Sequence, residues 1–472
     1  MSSDTAFQHY TAAFAGLIGA RHVLTSAEAL APYLSEERGL YPVKAPCVLR
    51  PGSTDEVAAV LACCNAHGIA VVPRGGNTGM VGGTAAPEGH VLLSLDRLAG
   101  APQVDSVNAT MTVDAGCTLQ SAQEAAREAG LYLPLSLASE GSAQIGGVLA
   151  TNAGGVNVLR YGNARDFCLG IEAALADGRV LSDLNALRKN NTGYDLRNLL
   201  IGSEGTLGVI TRAVLRLHPM PRSRQTAFMG LASAGRALEL YNRMRGLFGD
   251  QISAFEFISA PAWAMLAPHL HGRAAPLAEG HRAYVLMDLA SVGDDPGLEE
   301  RFQNSLAAAF DEGLIEDATL AANETQRAAL WDLRERLPEA QKHAGADIKH
   351  DISVPVSALA DFIAEGQAAA EAVLPGIVGA PFGHFGDGNL HFNFAPPPGM
   401  NRSDFRARAP EVTQAVVGVC LRHRGSFSAE HGIGRAKTGE MARYKNPVAL
   451  DVMRAIKRAL DPKGILNPGA VL

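Results

Sequence analysis

"STDEVAAVLACCNAHGIAVVPRGGNTGMVGG", residues 53–83, runs through a helix, a strand and a glycine loop without a break. Ser53, with Glu56 three residues later, makes a capping box, and the apolar positions that follow recur at helical spacing. Gly68 stands where a left-handed C-cap belongs. "IAVVP" (69–73) is then a short buried strand feeding directly into "RGGNTGMVGG" (74–83). Such a loop presents consecutive backbone N–H groups without crowding side chains, which makes a nest for phosphate oxygens.

The alternation continues outward. "TMTVDAG" (110–116), "TLQSAQEAAREAG" (118–130) and "LYLPLS" (131–136) predict strand, helix and strand. "IEAALADGRVL" (171–181) predicts a hairpin around Asp177-Gly178, and "GVITRAVLRLHP" (208–219) a closing strand. Two further stretches are dense in glycine, 139–163 and 201–211. Read singly, each glycine loop could equally be a set of tight turns. No GxxxxGK[ST] and no strand–GxGxxG–helix unit occurs, which argues against a P-loop and a nicotinamide-type Rossmann site.

"PMPRSR" (219–224) punctuates the chain with proline. Beyond it, helix-like runs such as 234–248 and 356–374 alternate with strand-like runs such as 282–290. The expected organisation is α+β. A first domain covers 1–219 (with an N-terminal segment 1–42), a second 220–420, and a C-terminal helical segment 421–472 completes the active site.

Composition bounds the function. Net charge is −7 with 47% hydrophobic residues, which argues against nucleic-acid binding. The six cysteines form no CxxC, so neither a disulfide framework nor a thiolate metal site is expected. The first twenty residues lack a basic n-region, and no apolar run of roughly 18 residues could span a bilayer. The expected compartment is the cytoplasm or a soluble matrix-like one.

"FGHFGDGNLHFNF" (382–394) carries His384 and His391 around Asp387-Gly388. A two-residue type I′ turn there pairs 384 with 391, placing both imidazoles and Asn393 on one face. Two imidazoles so placed can share a divalent metal, for which "SAEHGIG" (428–434) offers Glu430 as third ligand. From spacing alone they could as well cap the hairpin by hydrogen bonding.

Taken in order, "PRGGNTG", "GSAQIGGVLATNAGG", "RYGNARD", "GSEGTLGVIT", "FGHFGDGNLHFN", "SAEHGIG" and "DPKGILNPGAVL" resemble the motifs of the vanillyl-alcohol-oxidase superfamily. They are most similar to its D-lactate and D-2-hydroxyglutarate dehydrogenase branch, over most of the chain from about residue 40. The resemblance implies a PCMH-type FAD-binding domain of two α+β subdomains, an α+β substrate-binding cap domain, and a C-terminal segment returning to the flavin. The cofactor site would use Pro73, Arg74, Gly75, Gly76, Asn77, Thr78 and Gly79 at the diphosphate. It would continue through Pro134, Gly141, Ser142, Ile145 and Gly146, then Thr151, Asn152, Gly154, Gly155, Tyr161 and Gly162. Glu204, Gly205, Gly208, Ile210 and Asn467 would complete it. The first loop has Asn77 and no histidine, so non-covalent FAD is expected.

The resemblance further implies that His384, His391 and Glu430 hold a divalent metal, zinc first, with manganese or iron(II) as alternatives, and that His431 is the catalytic base. Arg334, Lys349 and Asn393 would bind substrate. Pro338 stands where some 2-hydroxyglutarate enzymes carry threonine, so one contact to the far end of the substrate would be missing. The expected reaction is oxidation of D-2-hydroxyglutarate, D-malate or D-lactate to the 2-oxo acid, with electrons passing to an electron-transfer flavoprotein or a quinone. A homodimer is compatible with this. The competing readings are a glycolate-oxidase-like subunit, a metallohydrolase using the same His/His/Glu set, and a non-catalytic flavin-binding module.

Overall fold

In the computed structural model, which describes residues 3–270, 274–278 and 280–472, Ser53 Oγ accepts the Glu56 N–H at 3.1 Å and starts the helix Thr54–His67. The other half of the predicted box shifts by one residue, the Glu56 carboxylate accepting from Gly52 N at 2.7 Å rather than from Ser53. Gly68 closes the helix at φ +67°, the left-handed cap the sequence calls for. The strand Val71–Arg74 follows and lies parallel to Val91–Ser94, which in turn lies parallel to Val48–Leu49.

The fold is α+β, in two compact units. One comprises Met1–Gly155, Gly162–Met220 and Glu430–Leu472, the other Val156–Tyr161 and Pro221–Ala429. The boundary near residue 220 falls where proline punctuates the sequence. Residues 421–429, grouped in the sequence with the C-terminal segment, pack with the second unit instead.

The first unit holds two main sheets. Its four-stranded sheet buries Leu49, Val71, Val91 and Leu93 against Val57, Val60 and Leu61 of the Thr54–His67 helix, and Ile465 and Leu466 join the same core. Its five-stranded sheet is antiparallel, in the order 103–105, 110–114, 209–216, 168–174, 180–183. The hairpin at Asp177-Gly178 is present, and Val209–Arg216 is the central strand rather than a closing one.

The second unit is built on one antiparallel sheet of seven strands, ordered 317–320, 223–231, 283–291, 252–259, 378–384, 389–395, 351–353. Side chains alternate between its faces. Phe255, Phe257, Phe392 and Phe394 point one way, into a core shared with the helices Ala234–Phe248, Leu298–Asp311, Leu359–Val373 and Ala409–Arg422. Ala254, Ile258, Ala380 and Phe382 point the other way, against Ala260–Leu266 and the long helix Glu324–His343. Burying both faces of the sheet contributes an apolar driving force of about 25 cal/mol per Å² removed from water.

The hairpin at 387–388 differs from the type I′ expectation. The observed register pairs Phe382 with His391, and residues Phe385–Asp387 form a 3₁₀ turn before Gly388. Phe385 is fully buried, its ring 5.1 Å from that of Phe257. Burying this aromatic pulls 385–387 out of the ladder and overrides the local turn preference. Because the slip is two residues, His384 and His391 keep the same face and become diagonal neighbours.

Candidate active site

Four strands of the second unit carry a row of ionisable side chains on the face toward the Glu324–His343 helix. Glu256 pairs across the ladder with His384, Phe382 pairs with His391, and His391 pairs with Asp351. The two imidazole centroids lie 5.7 Å apart. His384 Nδ1 is 2.7 Å from Glu256 Oε1, and His391 Nδ1 is 3.9 Å from Asp351 Oδ1. Asp351 Oδ1 also accepts from Asn389 Nδ2 at 3.0 Å, and its Oδ2 accepts from Ala429 N at 3.2 Å.

Arg334, on the long helix, donates from Nε to Glu256 Oε2 at 2.6 Å. Its guanidinium lies over the Phe382 ring at 4.9 Å. Among the described residues no hydrogen bond engages its two terminal nitrogens. Burial pushes the Glu256 carboxyl up, but His384 and Arg334 on either side outweigh that and hold it down at about 2. Pro338 lies inside the same helix, one turn beyond Arg334, and has no N–H to offer the Arg334 carbonyl.

Lys349 is exposed, two residues before Asp351. Asn393 is buried, donating to Gln341 Oε1 at 2.8 Å and accepting from His350 N at 3.3 Å. Tyr161 is also in the second unit, its ring 5.0 Å from the Arg160 guanidinium carbon.

Glu430 and His431 begin the C-terminal part of the first unit. Glu430 Oε2 accepts from Gly155 N at 3.3 Å, and its Oε1 lies 3.8 Å from His431 Nε2. The turn after His431 is gripped by Glu204, whose carboxylate accepts from Ile433 N at 2.7 Å and Gly434 N at 2.8 Å. Burial pushes the Glu204 carboxyl up, and those two N–H groups oppose it. A side chain at Gly432 would put Cβ 2.7 Å from Glu204 Oε1, and at Gly434 2.2 Å from the Val81 carbonyl, both at positive φ. Asn467 Nδ2 donates to the carbonyls of Glu204 and Gly83 at 2.9 and 3.0 Å.

The glycine loops of the first unit are closely apposed. A Cβ on Gly76 would lie 1.9 Å from the Ser142 carbonyl oxygen, so the 73–79 loop can lie where it does only with glycine there. A Cβ on Gly146 would lie 2.7 Å from Ala115 Cβ, and one on Gly205 3.1 Å from Pro73 Cγ. Arg74 is buried and donates to the Tyr33 carbonyl. Thr151 Oγ1 donates to Gly147 O, and Asn152 Oδ1 accepts from Arg165 N. Asn77, Asn152, Glu204 and Asn467 all hold positive φ, between 42° and 59°. Non-glycine residues rarely adopt this backbone, and such strain gathers at ligand sites. Gln144 Oε1 and Ser203 Oγ are buried without a hydrogen-bond partner, the kind of orphaned group a polar ligand satisfies. Pro134 and Ile210 are buried nearby in sequence to these loops, whereas Thr78, Gly79, Gly141, Gly154, Gly155, Gly162 and Gly208 line turns and short connections.

Two functional candidates escaped sequence reasoning, Glu256 and Asp351. The signal for Glu256 was available. It is a lone carboxylate within "ISAFEFIS", a strand buried at every position, and acids are almost never fully buried unless paired.

Comparison with known proteins adds two family matches: the FAD binding domain over residues 45–183, and the C-terminal domain of FAD linked oxidases over 220–471. The chain is 40% identical over 455 residues to the mitochondrial D-2-hydroxyglutarate dehydrogenase of Bos taurus, covering 95% of this chain and 81% of that protein. It is 39% identical over 419 residues to D-2-hydroxyglutarate dehydrogenase of Xanthomonas citri, covering 89% and 87%. Among solved structures, substrate-bound p-cresol methylhydroxylase superposes with TM-score 0.76 at 18% identity, over 98% of this chain and 96% of that one. 4-Ethylphenol oxidase of Gulosibacter chungangensis gives 0.72 at 18% identity, over 99% and 97%. These two likenesses establish the PCMH-type fold.

Proposed function

The chain belongs to the FAD-linked oxidases and is an FAD-dependent dehydrogenase of D-2-hydroxy acids; from that premise we propose that it oxidises D-2-hydroxyglutarate to the 2-oxo acid, with a divalent metal and with His431 as base. The observation that carries the metal is the Glu256 carboxylate bonded to Nδ1 of a hairpin imidazole, His384, at 2.7 Å. Metal-ligating histidines characteristically have a carboxylate behind the ring, which sets the tautomer and raises ligand basicity.

The donor set suits the group. His384 and His391 with Glu430 would be two imidazoles and a carboxylate, a combination that fits zinc, manganese or iron(II). When bound, the metal supplies Lewis acidity that lowers the pKa of the substrate hydroxyl. FAD suits the first unit, where the close-packed glycines, the strained asparagines and the orphaned Gln144 Oε1 favour a polar ligand with phosphates. When bound, FAD supplies the two-electron acceptor. The loop 74–83 contains no histidine, cysteine or tyrosine, which supports non-covalent attachment.

The chain's own residues divide the remaining work. Arg334 offers its terminal nitrogens to a substrate carboxylate in a low-dielectric site, where a bidentate pair is strongest. Lys349 adds a second positive charge. Asn393, held by Gln341 and His350, presents an amide edge of fixed orientation. His431 takes the hydroxyl proton, a task suited to imidazole near neutral pH. The Glu204 grip on the following turn keeps that imidazole from drifting.

The final electron acceptor we assign to an electron-transfer flavoprotein or a quinone. The Bos taurus relative is described as mitochondrial, which favours a matrix-type compartment. Among the described residues no helix is long and apolar enough to cross a membrane. The test is removal and return of metal. A chelator should abolish turnover of D-2-hydroxyglutarate while flavin stays bound, and zinc or manganese should restore it. Full turnover by metal-free enzyme would refute the metal's role.

A further inference from the structure

Glu256 is the most completely buried ionisable group of the second unit's sheet face, at 1% exposure in a strand where every residue is buried. Its two carboxylate oxygens serve two different elements. Oε1 meets His384 Nδ1 on the neighbouring strand at 2.7 Å, and Oε2 meets Arg334 Nε on the covering helix at 2.6 Å. A buried charged triad of this kind is weak evidence of stability, because apolar residues of similar volume commonly do as well or better. Its presence in an otherwise apolar strand therefore calls for another explanation.

Asp351 offers a contrast within the same sheet. It stands 3.9 Å from His391 Nδ1, beyond hydrogen-bond distance, while its oxygens accept from Asn389 Nδ2 and Ala429 N. Glu256 reaches the His384 imidazole at hydrogen-bond distance and also holds a guanidinium. The same helix carries Pro338 one turn beyond Arg334, which leaves the Arg334 carbonyl without its usual backbone N–H partner.

We propose that Glu256 is a positioning residue acting on metal and substrate together: Oε1 holds His384 as the Nδ1–H tautomer, making Nε2 the ligand nitrogen, while Oε2 aims the Arg334 guanidinium at the substrate carboxylate. This rests on the metal-dependent hydroxy-acid dehydrogenase reading above. The chemistry is specific to a carboxylate. Both neighbours are donors, so both oxygens must accept. Glutamine has one acceptor oxygen and one donor nitrogen, and can satisfy His384 or Arg334 but not both. The rule that supporting partners of metal ligands contribute about 10- to 100-fold in affinity sets the size of the effect.

The experiment uses the full-length, FAD-loaded protein. Zinc affinity is measured by chelator competition, and saturation of anaerobic flavin reduction by D-2-hydroxyglutarate gives substrate affinity and limiting rate separately. For Glu256→Gln we expect zinc affinity to fall roughly 10-fold or more, substrate affinity to fall as well, and flavin content to stay constant. For Arg334→Met substrate affinity falls and zinc affinity stays within about two-fold. If Glu256→Gln yields no flavin-loaded protein, Arg334→Met/Glu256→Gln, which removes both buried charges, is compared with Arg334→Met, and weaker zinc in the double variant is expected. Zinc affinity equal to the parent's in either comparison overturns the proposal. A wild-type enzyme that holds no metal, or whose flavin no D-acid reduces, overturns the underlying reading instead.

Discussion

Glu204 accepts the backbone N–H of Gly434 at 2.8 Å, tying a residue of the third glycine loop to the turn that follows His431. Ile433 N adds a second bond at 2.7 Å, and Asn467 holds the Glu204 carbonyl at 2.9 Å. One buried carboxylate thus organises the segment that carries the proposed base. Gly434→Ala tests this. Its Cβ would meet the Val81 carbonyl, and φ is +51°. The left-handed backbone alone costs about 1–2 kcal/mol for a residue with a Cβ. The expected result is a lower Tm with a fall in kcat of at least about tenfold; unchanged kcat would contradict the role given to the turn.

Removing the base and removing a ligand should be separable. His431→Ala is expected to lower turnover by roughly 10²- to 10⁴-fold, the usual worth of a positioned general base, while bound flavin and metal content stay as in wild type. His384→Ala is expected to lose metal together with activity. Metal analysis and flavin absorbance on the same samples distinguish the two. Retained metal in His384→Ala would contradict the ligand assignment.

Pro338 bears on substrate choice. It lies within the helix one turn beyond Arg334 and brings neither a backbone N–H nor a side-chain donor. Pro338→Thr restores an N–H and adds a hydroxyl. The expected effect is a KM for D-2-hydroxyglutarate lowered roughly 3- to 10-fold, the worth of about 1 kcal/mol for one net hydrogen bond, with the KM for D-lactate unchanged. Parallel changes for both acids would show that position 338 does not read the far end of the substrate.

Asp347 anchors the segment leading to Lys349 and Asp351. It accepts from Arg402 at 2.7 and 2.9 Å and from Arg406 at 2.9 Å. Burial pushes its carboxyl up, but the two arginines prevail and hold it below the ordinary aspartate value. A carboxyl lowered in the folded state contributes stability that is fully present above its unfolded pKa and is lost as pH falls through its folded value. Asp347→Asn should therefore reduce stability at pH 7 by about 1 kcal/mol, a modest figure because both arginines are well exposed to solvent. The gap from wild type should close below about pH 4. Thermal unfolding of the two proteins across pH measures it; a gap constant with pH would contradict it.

Local signals carried much of the first unit. Ser53 and Gly68 mark their helix because capping is a matter of a few neighbouring residues, and the Asp177-Gly178 hairpin follows from turn chemistry of the same range. The 384–391 register was not legible, because it depends on Phe385 reaching Phe257 across 128 residues of sequence. Glu256 meets Arg334 and His384 from 78 and 128 positions away. Glu204 reaches Gly434 across 230. Motif resemblance named Glu204 but could not say what it holds. Spacing brought the two histidines to one face, and only the tertiary fold supplied the carboxylates beside them.

The most direct measurement is anaerobic reduction of the bound flavin, followed by absorbance, with D-2-hydroxyglutarate, D-malate, D-lactate and their L-enantiomers, each with and without chelator. The account predicts bleaching by D-acids only, fastest with D-2-hydroxyglutarate, and its loss with chelator. Bleaching by L-acids, chelator-resistant bleaching, or a flavin that no 2-hydroxy acid reduces would contradict it.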